Sequence, residues 1–177
     1  MYFSQFEQGY YDLKGDGKEK LVTDLMTRVK VREKVIDEAS LYDKYDVPSG
    51  ERPEDTAFKH FGSAQYHWVI LMTNNITDAY YEWPMSEQTF EAFLKDKYTN
   101  PDAIHHYEVS QSSGRTSAQG PDDYSYLVEV NSDATGAQSV SNREYEQRLQ
   151  DERRQIQLLN PSYLNTFLEE FNELVRT

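Results

Sequence analysis

The chain has no cysteine, which excludes disulfides and thiolate metal ligands. Long apolar runs are also missing. The longest aliphatic one, Val69-Ile70-Leu71-Met72, is far too short for a bilayer-spanning helix. The first residues, MYFSQFEQGYYDLKG, lack a basic segment followed by an apolar one, so no signal peptide is expected. Positive charge is scarce: 18 Lys and Arg stand against 31 Asp and Glu, a formal net charge of −13. That balance repels phosphate backbones and argues against a nucleic-acid partner. No membrane partner is expected either.

Catalytic and ligand-binding patterns are absent as well. The four histidines, His60, His67, His105 and His106, show no His-Glu-x-x-His spacing, so no metal site is expected. Asp12 to Glu19 (DLKGDGKE) lacks the length and the closing bidentate glutamate of a calcium loop and reads as a hairpin turn. Gly15 and Gly17 run into Lys18-Glu19 rather than a phosphate-loop Gly-Lys-Ser/Thr. Ser49-Gly50 lacks the glycines of a nucleophile elbow. The reading is therefore a non-enzyme without cofactor.

Aromatic residues are plentiful. Fourteen Tyr, eight Phe and two Trp make up 14% of the 177 residues. Tyrosine and tryptophan suit surfaces that are apolar on one side and wet on the other, but an aromatic core would need them equally.

Along the chain, Tyr10 to Leu13 reads as a short strand before an Asp-Gly turn. Leu21, Val22, Leu25, Met26 and Val29 recur at helical spacing. Val29, Val31 and Val35 alternate with charges as a half-buried strand would. Tyr45-Asp46-Val47 is strand-like. Pro53-Glu54-Asp55 opens a helix over Ala57, Phe58 and Phe61, stopped by Gly62. A second helix starts at Ser63, carries Tyr66, Val69, Ile70 and Thr73 on one face, and ends at Asn74-Asn75. Tyr80, Tyr81 and Trp83 precede Pro84, and Trp83 is expected to fold back on that second helix. Ser86 opens a helix through Phe90, Phe93 and Leu94.

Ile104 to Val109 and Tyr124 to Val130 read as two strands around a Ser/Gly-rich loop. Residues 131–142 read as a flexible connection. The remainder reads as two helices. The first carries Tyr145, Leu149, Ile156 and Leu159 and stops at Asn160-Pro161. The second carries Leu164, Phe167, Leu168, Phe171, Leu174 and Val175. Its apolar stripe needs a partner, either the preceding helix or another subunit.

Tyr45 and Val47, Gly50-Glu51, Pro53-Glu54, Ala57, Phe61-Gly62, Trp68 and Asn74-Asn75-Ile76 together resemble a LysM module, a small β-α-α-β unit. The wider string YDVPSGERPEDTAFKHFGSAQYHWVILMTNNITDAYYEWPMS is similar to baseplate wedge proteins of contractile-tailed bacteriophages with an embedded LysM-like domain. So are DLMTRVKV upstream and NREYEQRLQDERRQIQLLNPSYL downstream. The resemblance runs from about Tyr11 to Leu174 and is weakest over 110–142.

It implies an α+β fold: a LysM-like core (44–86), an N-terminal helix/strand arm (1–43), a helix plus a long-looped hairpin (87–142), and a C-terminal helical pair (143–177). It implies a virion protein of the tail baseplate, assembled in the host cytoplasm as part of a hetero-oligomer. Such a protein clamps other wedge subunits, including those of a neighbouring wedge, and promotes closure of the ring. The candidate contacts are Tyr45, Arg52, Tyr80, Tyr81, Phe167 and Phe171. The alternative is a LysM-type peptidoglycan-binding module. Both walls of the sugar groove depart from that pattern, at Gly50-Glu51-Arg52-Pro53 and at the Tyr-Tyr-Glu-Trp-Pro continuation.

Overall fold

The computed structural model describes residues 2–26 and 29–176. A 3-10 turn at Tyr2–Gln5 leads to β1 (Gln8–Tyr11) and β2 (Lys20–Thr23), antiparallel with Tyr10 opposite Leu21. Asp12 builds the turn between them: its carboxylate accepts the backbone N–H of Lys14, Gly15, Asp16 and Gly17. Gly15 and Gly17 take φ of 68° and 77°, a region that suits glycine. Helical turn α1 (Glu33–Ile36) and strand β3 (Tyr42–Asp46) follow. Next come α2 (Pro53–Phe61), α3 (His67–Thr73), α4 (Ala79–Glu82) and α5 (Glu87–Lys97). Strands β4 (Ile104–Gln111), β5 (Tyr126–Val130) and β6 (Gln138–Ser141) precede α6 (Asn142–Arg154). Strand β7 (Gln155–Leu159) and α7 (Leu164–Val175) end the chain.

These elements form two compact units, one of residues up to Pro84 together with those from Arg153 onward, the other Met85–Glu152. In the first, β3 pairs antiparallel with β7, Tyr45 opposite Ile156. The order is thus strand, helix, helix, strand, with the closing strand far downstream. Three side-chain contacts clasp that strand from the helices. Asn74 donates its amide N–H to the Gln157 carbonyl (2.7 Å) and accepts the Gln157 N–H (2.8 Å). His60 Nε2 donates to the Leu159 carbonyl at 2.9 Å.

Helix α3 is apolar on nearly all sides, as a central helix must be. Trp68 and Val69 join Phe6, Leu159, Leu164, Phe171 and Val175 in one cluster. Ile70 joins Val47, Ala57, Trp83, Ile156 and Leu158 in another. Helix α2 ends at Gly62 (φ 76°) and α3 at Asn75 (φ 55°), both left-handed stops.

In the second unit, the sheet order is β5-β4-β6, all antiparallel. Glu108 on β4 accepts an N–H from each of the two terminal guanidinium nitrogens of Arg148 on α6 at 2.8 Å, which ties helix to sheet. Glu146, 3% exposed, accepts Lys97 Nζ (2.6 Å) and the Tyr98 hydroxyl (2.7 Å).

Several expected elements differ. The helix expected over Leu21–Val29 is replaced at 20–23 by β2, and positions 27 and 28 lie outside the described residues. The Asp12-centred turn aims the chain back along β1, and this overrides the helical spacing. The strand expected through Val29–Val35 contains instead the helical turn α1. The helix expected to reach Leu159 stops at Arg154. Ile156 and Leu158 then follow the two-residue period of a strand with one buried face. The two C-terminal helices are therefore separated by β7. Residues 131–142 contain β6, where Val140 is buried. Finally, α7 packs Leu164, Phe171 and Val175 with Trp68, Val69 and Phe6, and with Leu159 from the segment expected as the preceding helix.

Candidate partner-binding surfaces

The loop from β3 to α2 is organised by one carboxylate. Glu51, 9% exposed, accepts the Tyr45 hydroxyl (2.9 Å), the Thr56 hydroxyl (2.7 Å) and Lys59 Nζ (2.5 Å). Burial pushes its pKa up, but the hydrogen bonds from Lys59, Thr56 and Tyr45 together outweigh that and hold it below the usual carboxylate value. Its backbone carbonyl accepts the indole N–H of Trp83 at 2.8 Å. Trp83, 6% exposed, lies in the cluster with Val47 and Ile70, so it does fold back on α3.

Just before Trp83, α4 is pinned at its start. Asp78 accepts the Tyr80 N–H at 2.9 Å, and Glu82 reaches back to the N–H groups of Thr77 (2.7 Å) and Asp78 (2.9 Å). Those backbone bonds keep the Glu82 carboxyl below its ordinary value. Tyr80 and Tyr81 point outward, 82% and 66% exposed, in an edge-to-face pair with centroids 4.9 Å apart.

The other candidate contacts sit on different elements. Arg52 is exposed at the start of α2, where its backbone N–H donates to Asp55. Tyr45 is half-buried against the second cluster. Phe167 is half-buried, with its ring 6.1 Å from Trp68. Phe171 is 3% exposed, packed between Tyr2, Phe6 and Trp68.

One surface was not singled out from sequence. Every residue of β1, and all of β2 but Thr23, is exposed. Tyr10 and Leu21 crown one face and Tyr11 and Val22 the other, and Leu25 and Met26 beyond the hairpin are exposed as well. A two-stranded hairpin with both faces in water is marginal by itself. The readable signal was a second β-capable pair, Leu21-Val22, placed across the Asp-Gly turn from Tyr10-Tyr11. Among the described residues, no group of three or more His, Cys, Asp or Glu is placed to hold a metal ion.

A family model described as Base plate wedge protein 53 matches residues 1–114 of the chain. The chain belongs to that family. The match to the wedge family takes in the β1–β2 hairpin, the α2–α3 pair, α4 and Trp83, and ends beyond β4. Strand β7 and helix α7 fall outside it, and with them Phe167 and Phe171. A relative, the baseplate wedge protein gp53 of Enterobacteria phage T4, is 36% identical over 56 residues. That alignment covers 32% of this chain and 29% of the T4 protein's length.

Proposed function

We propose that the chain is a structural component of a phage tail baseplate wedge. It holds other wedge subunits, including those of a neighbouring wedge, and so promotes closure of the baseplate ring in the virion. Assembly takes place in the host cytoplasm. The observation that carries this reading is the wedge-family match over residues 1–114. The hairpin supports it, because so much exposed apolar surface on a marginal element suits a protein that works bound to others. The strand–helix–helix–strand order of β3, α2, α3 and β7 supports reading this unit as a LysM-like clamp. A non-catalytic role fits the buried carboxylates, since Glu51, Glu108 and Glu146 are all engaged by internal donors. Of the candidate contacts, Arg52, Tyr80 and Tyr81 face outward, Tyr45 and Phe167 flank the core, and Phe171 acts from beneath by supporting Trp68.

The same order of elements favours a second reading, a peptidoglycan-binding module. Trp83 weighs against it. Its ring packs beside Val47 and Ile70, and its N–H ties the 77–84 segment to the Glu51 loop, so the two walls of a sugar groove are bound to each other.

Co-expression of the full chain with the other wedge proteins of the same phage, followed by size-exclusion chromatography with light scattering, tests the proposal. Co-migration in a stoichiometric complex is expected. A chain that stays monomeric and joins none of them ends the proposal. Pelleting with insoluble peptidoglycan tests the second reading, and the chain is expected to stay in the supernatant.

A further inference from the structure

Helix α4 places two tyrosines in solvent on a turn closed by its own side-chain caps. Four residues alone do not hold a helix. Here the turn is closed by the Asp78 and Glu82 carboxylates and anchored by buried Trp83, the next residue. The backbone that carries Tyr80 and Tyr81 is thereby held in place, which lowers part of the ordering cost of binding. Rigid, exposed tyrosines are the kind of residue that dominates interface energetics.

The charge around them selects the partner. Asp78 and Glu82 are both exposed, and each uses only part of its carboxylate on the backbone. Residues 77–84 contain no Lys or Arg. Among the described residues, Arg153 lowers the Glu82 carboxyl through its charge, as the smallest of the influences on that group. A tyrosine face attracts a guanidinium, and a neighbouring carboxylate binds it through two N–H groups. Arginine fits better than lysine because its planar, weakly hydrated cation both stacks and forks. A second copy is disfavoured, since it brings another formal charge of −13.

We propose that α4 is a docking knob for an arginine-bearing segment of another wedge protein, with Tyr80 and Tyr81 receiving the guanidinium and Asp78 and Glu82 pairing with it. This rests on the wedge reading above and adds the chemistry of the partner.

The test uses the full chain co-expressed with the other wedge proteins of the same phage. Three variants are compared with the natural chain: Y80A/Y81A, Y80F/Y81F, and D78N/E82Q, whose amides retain acceptors for the backbone caps. The natural chain and Y80F/Y81F are expected to bind alike, and Y80A/Y81A to bind at least about 30-fold more weakly. D78N/E82Q is expected to bind about 10-fold more weakly, with a flatter salt dependence. Tyr80→p-benzoyl-phenylalanine, irradiated in the complex, is expected to crosslink to a peptide of another chain within a few residues of an arginine. Unchanged binding by Y80A/Y81A overturns the proposal, and so does a crosslink to a second copy or to a segment without arginine. If the natural chain joins no wedge complex at all, the wedge reading falls as well. If it joins and Y80A/Y81A joins equally, only the knob falls.

Discussion

The indole N–H of Trp83 donates to the backbone carbonyl of Glu51, 32 residues upstream, at 2.8 Å. The bond closes the segment after α3 onto the loop before α2, and the ring fills the space beside Ile70. Trp83→Ala is expected to cost about 3–5 kcal/mol, from lost area and the cavity left behind. Trp83→Phe keeps much of the packing but leaves the Glu51 carbonyl unpaired, for about 1–3 kcal/mol. Urea unfolding followed by circular dichroism measures both. Equal midpoints for Trp83→Phe and the natural chain would remove the hydrogen bond from this account.

Asn74 makes three hydrogen bonds, one to its own helix at Ile70 and two to the backbone of Gln157. Asn74→Ala is expected to destabilise the β3–β7 pairing by about 2–3 kcal/mol, since two backbone groups of a partly buried strand lose their partners. Hydrogen exchange reads it locally: the Gln157 amide should lose protection ahead of the amides of α5. Asn74→Asp should be worse, because it turns an acceptor toward two carbonyls.

Acid sensitivity follows from the two depressed carboxylates that are also buried, Glu51 and Glu108. Glu108 is held low first by the Arg148 hydrogen bonds, against burial. Glu51 is held low by its three donors despite burial. A carboxylate whose folded pKa lies below its unfolded value stabilises above the unfolded value and loses that contribution as pH falls through the folded one. Stability is therefore expected to be flat above roughly pH 5 and to decline below roughly pH 4. Glu51→Gln should flatten part of that decline in thermal scans across pH. A variant that declines as steeply as the natural chain contradicts the assignment to Glu51.

The second unit depends on the bidentate pair. Arg148→Met leaves Glu108, 7% exposed, facing its neighbours without its guanidinium. The expected cost is about 2–3 kcal/mol, less than for a fully buried pair because the Arg148 side chain is 39% exposed. The Arg148→Met/Glu108→Gln double variant should recover part of it, measured as a double-mutant cycle.

The hairpin should change its behaviour on assembly. In the free chain, amides of Gln8–Tyr11 and Lys20–Thr23 are expected to exchange fast, as an uncovered two-stranded ribbon does. In a wedge complex they should become protected. Unchanged exchange in a verified complex would place the hairpin outside the interface.

The helices α2, α3 and α5 were legible because their boundary signals are local: Pro53 and Gly62, Asn75, Ser86; Ser63 caps a 3-10 turn, Ala64–Tyr66, that leads into α3 at His67. Trp83 was legible because a large ring next to a proline has few places to go in a small core. Strand β7 was not. Ile156 and Leu159 continue the spacing set by Tyr145 and Leu149, while the residues α6 buries are the polar Glu146 and Gln150. Only pairing with distant β3 distinguishes strand from helix there. Exposure at the hairpin was hidden for a related reason: apolar spacing marks a face to be covered but does not say whether this chain or another covers it. The tyrosines of α4 were readable as a cluster, while their support came from the Asp78 and Glu82 caps.

Strand β3 leaves the ribosome long before its partner β7 is made. At roughly 5–20 residues per second, the nascent chain waits on the order of 5–20 s with one strand of the sheet missing. During that wait the apolar side of α3 lacks Ile156, Leu158, Leu159 and the whole of α7. A chain truncated before β7 therefore leaves that side of the core open, a state prone to chaperone binding and proteolysis. A pulse-chase of such a truncation should show it degraded faster than the natural chain.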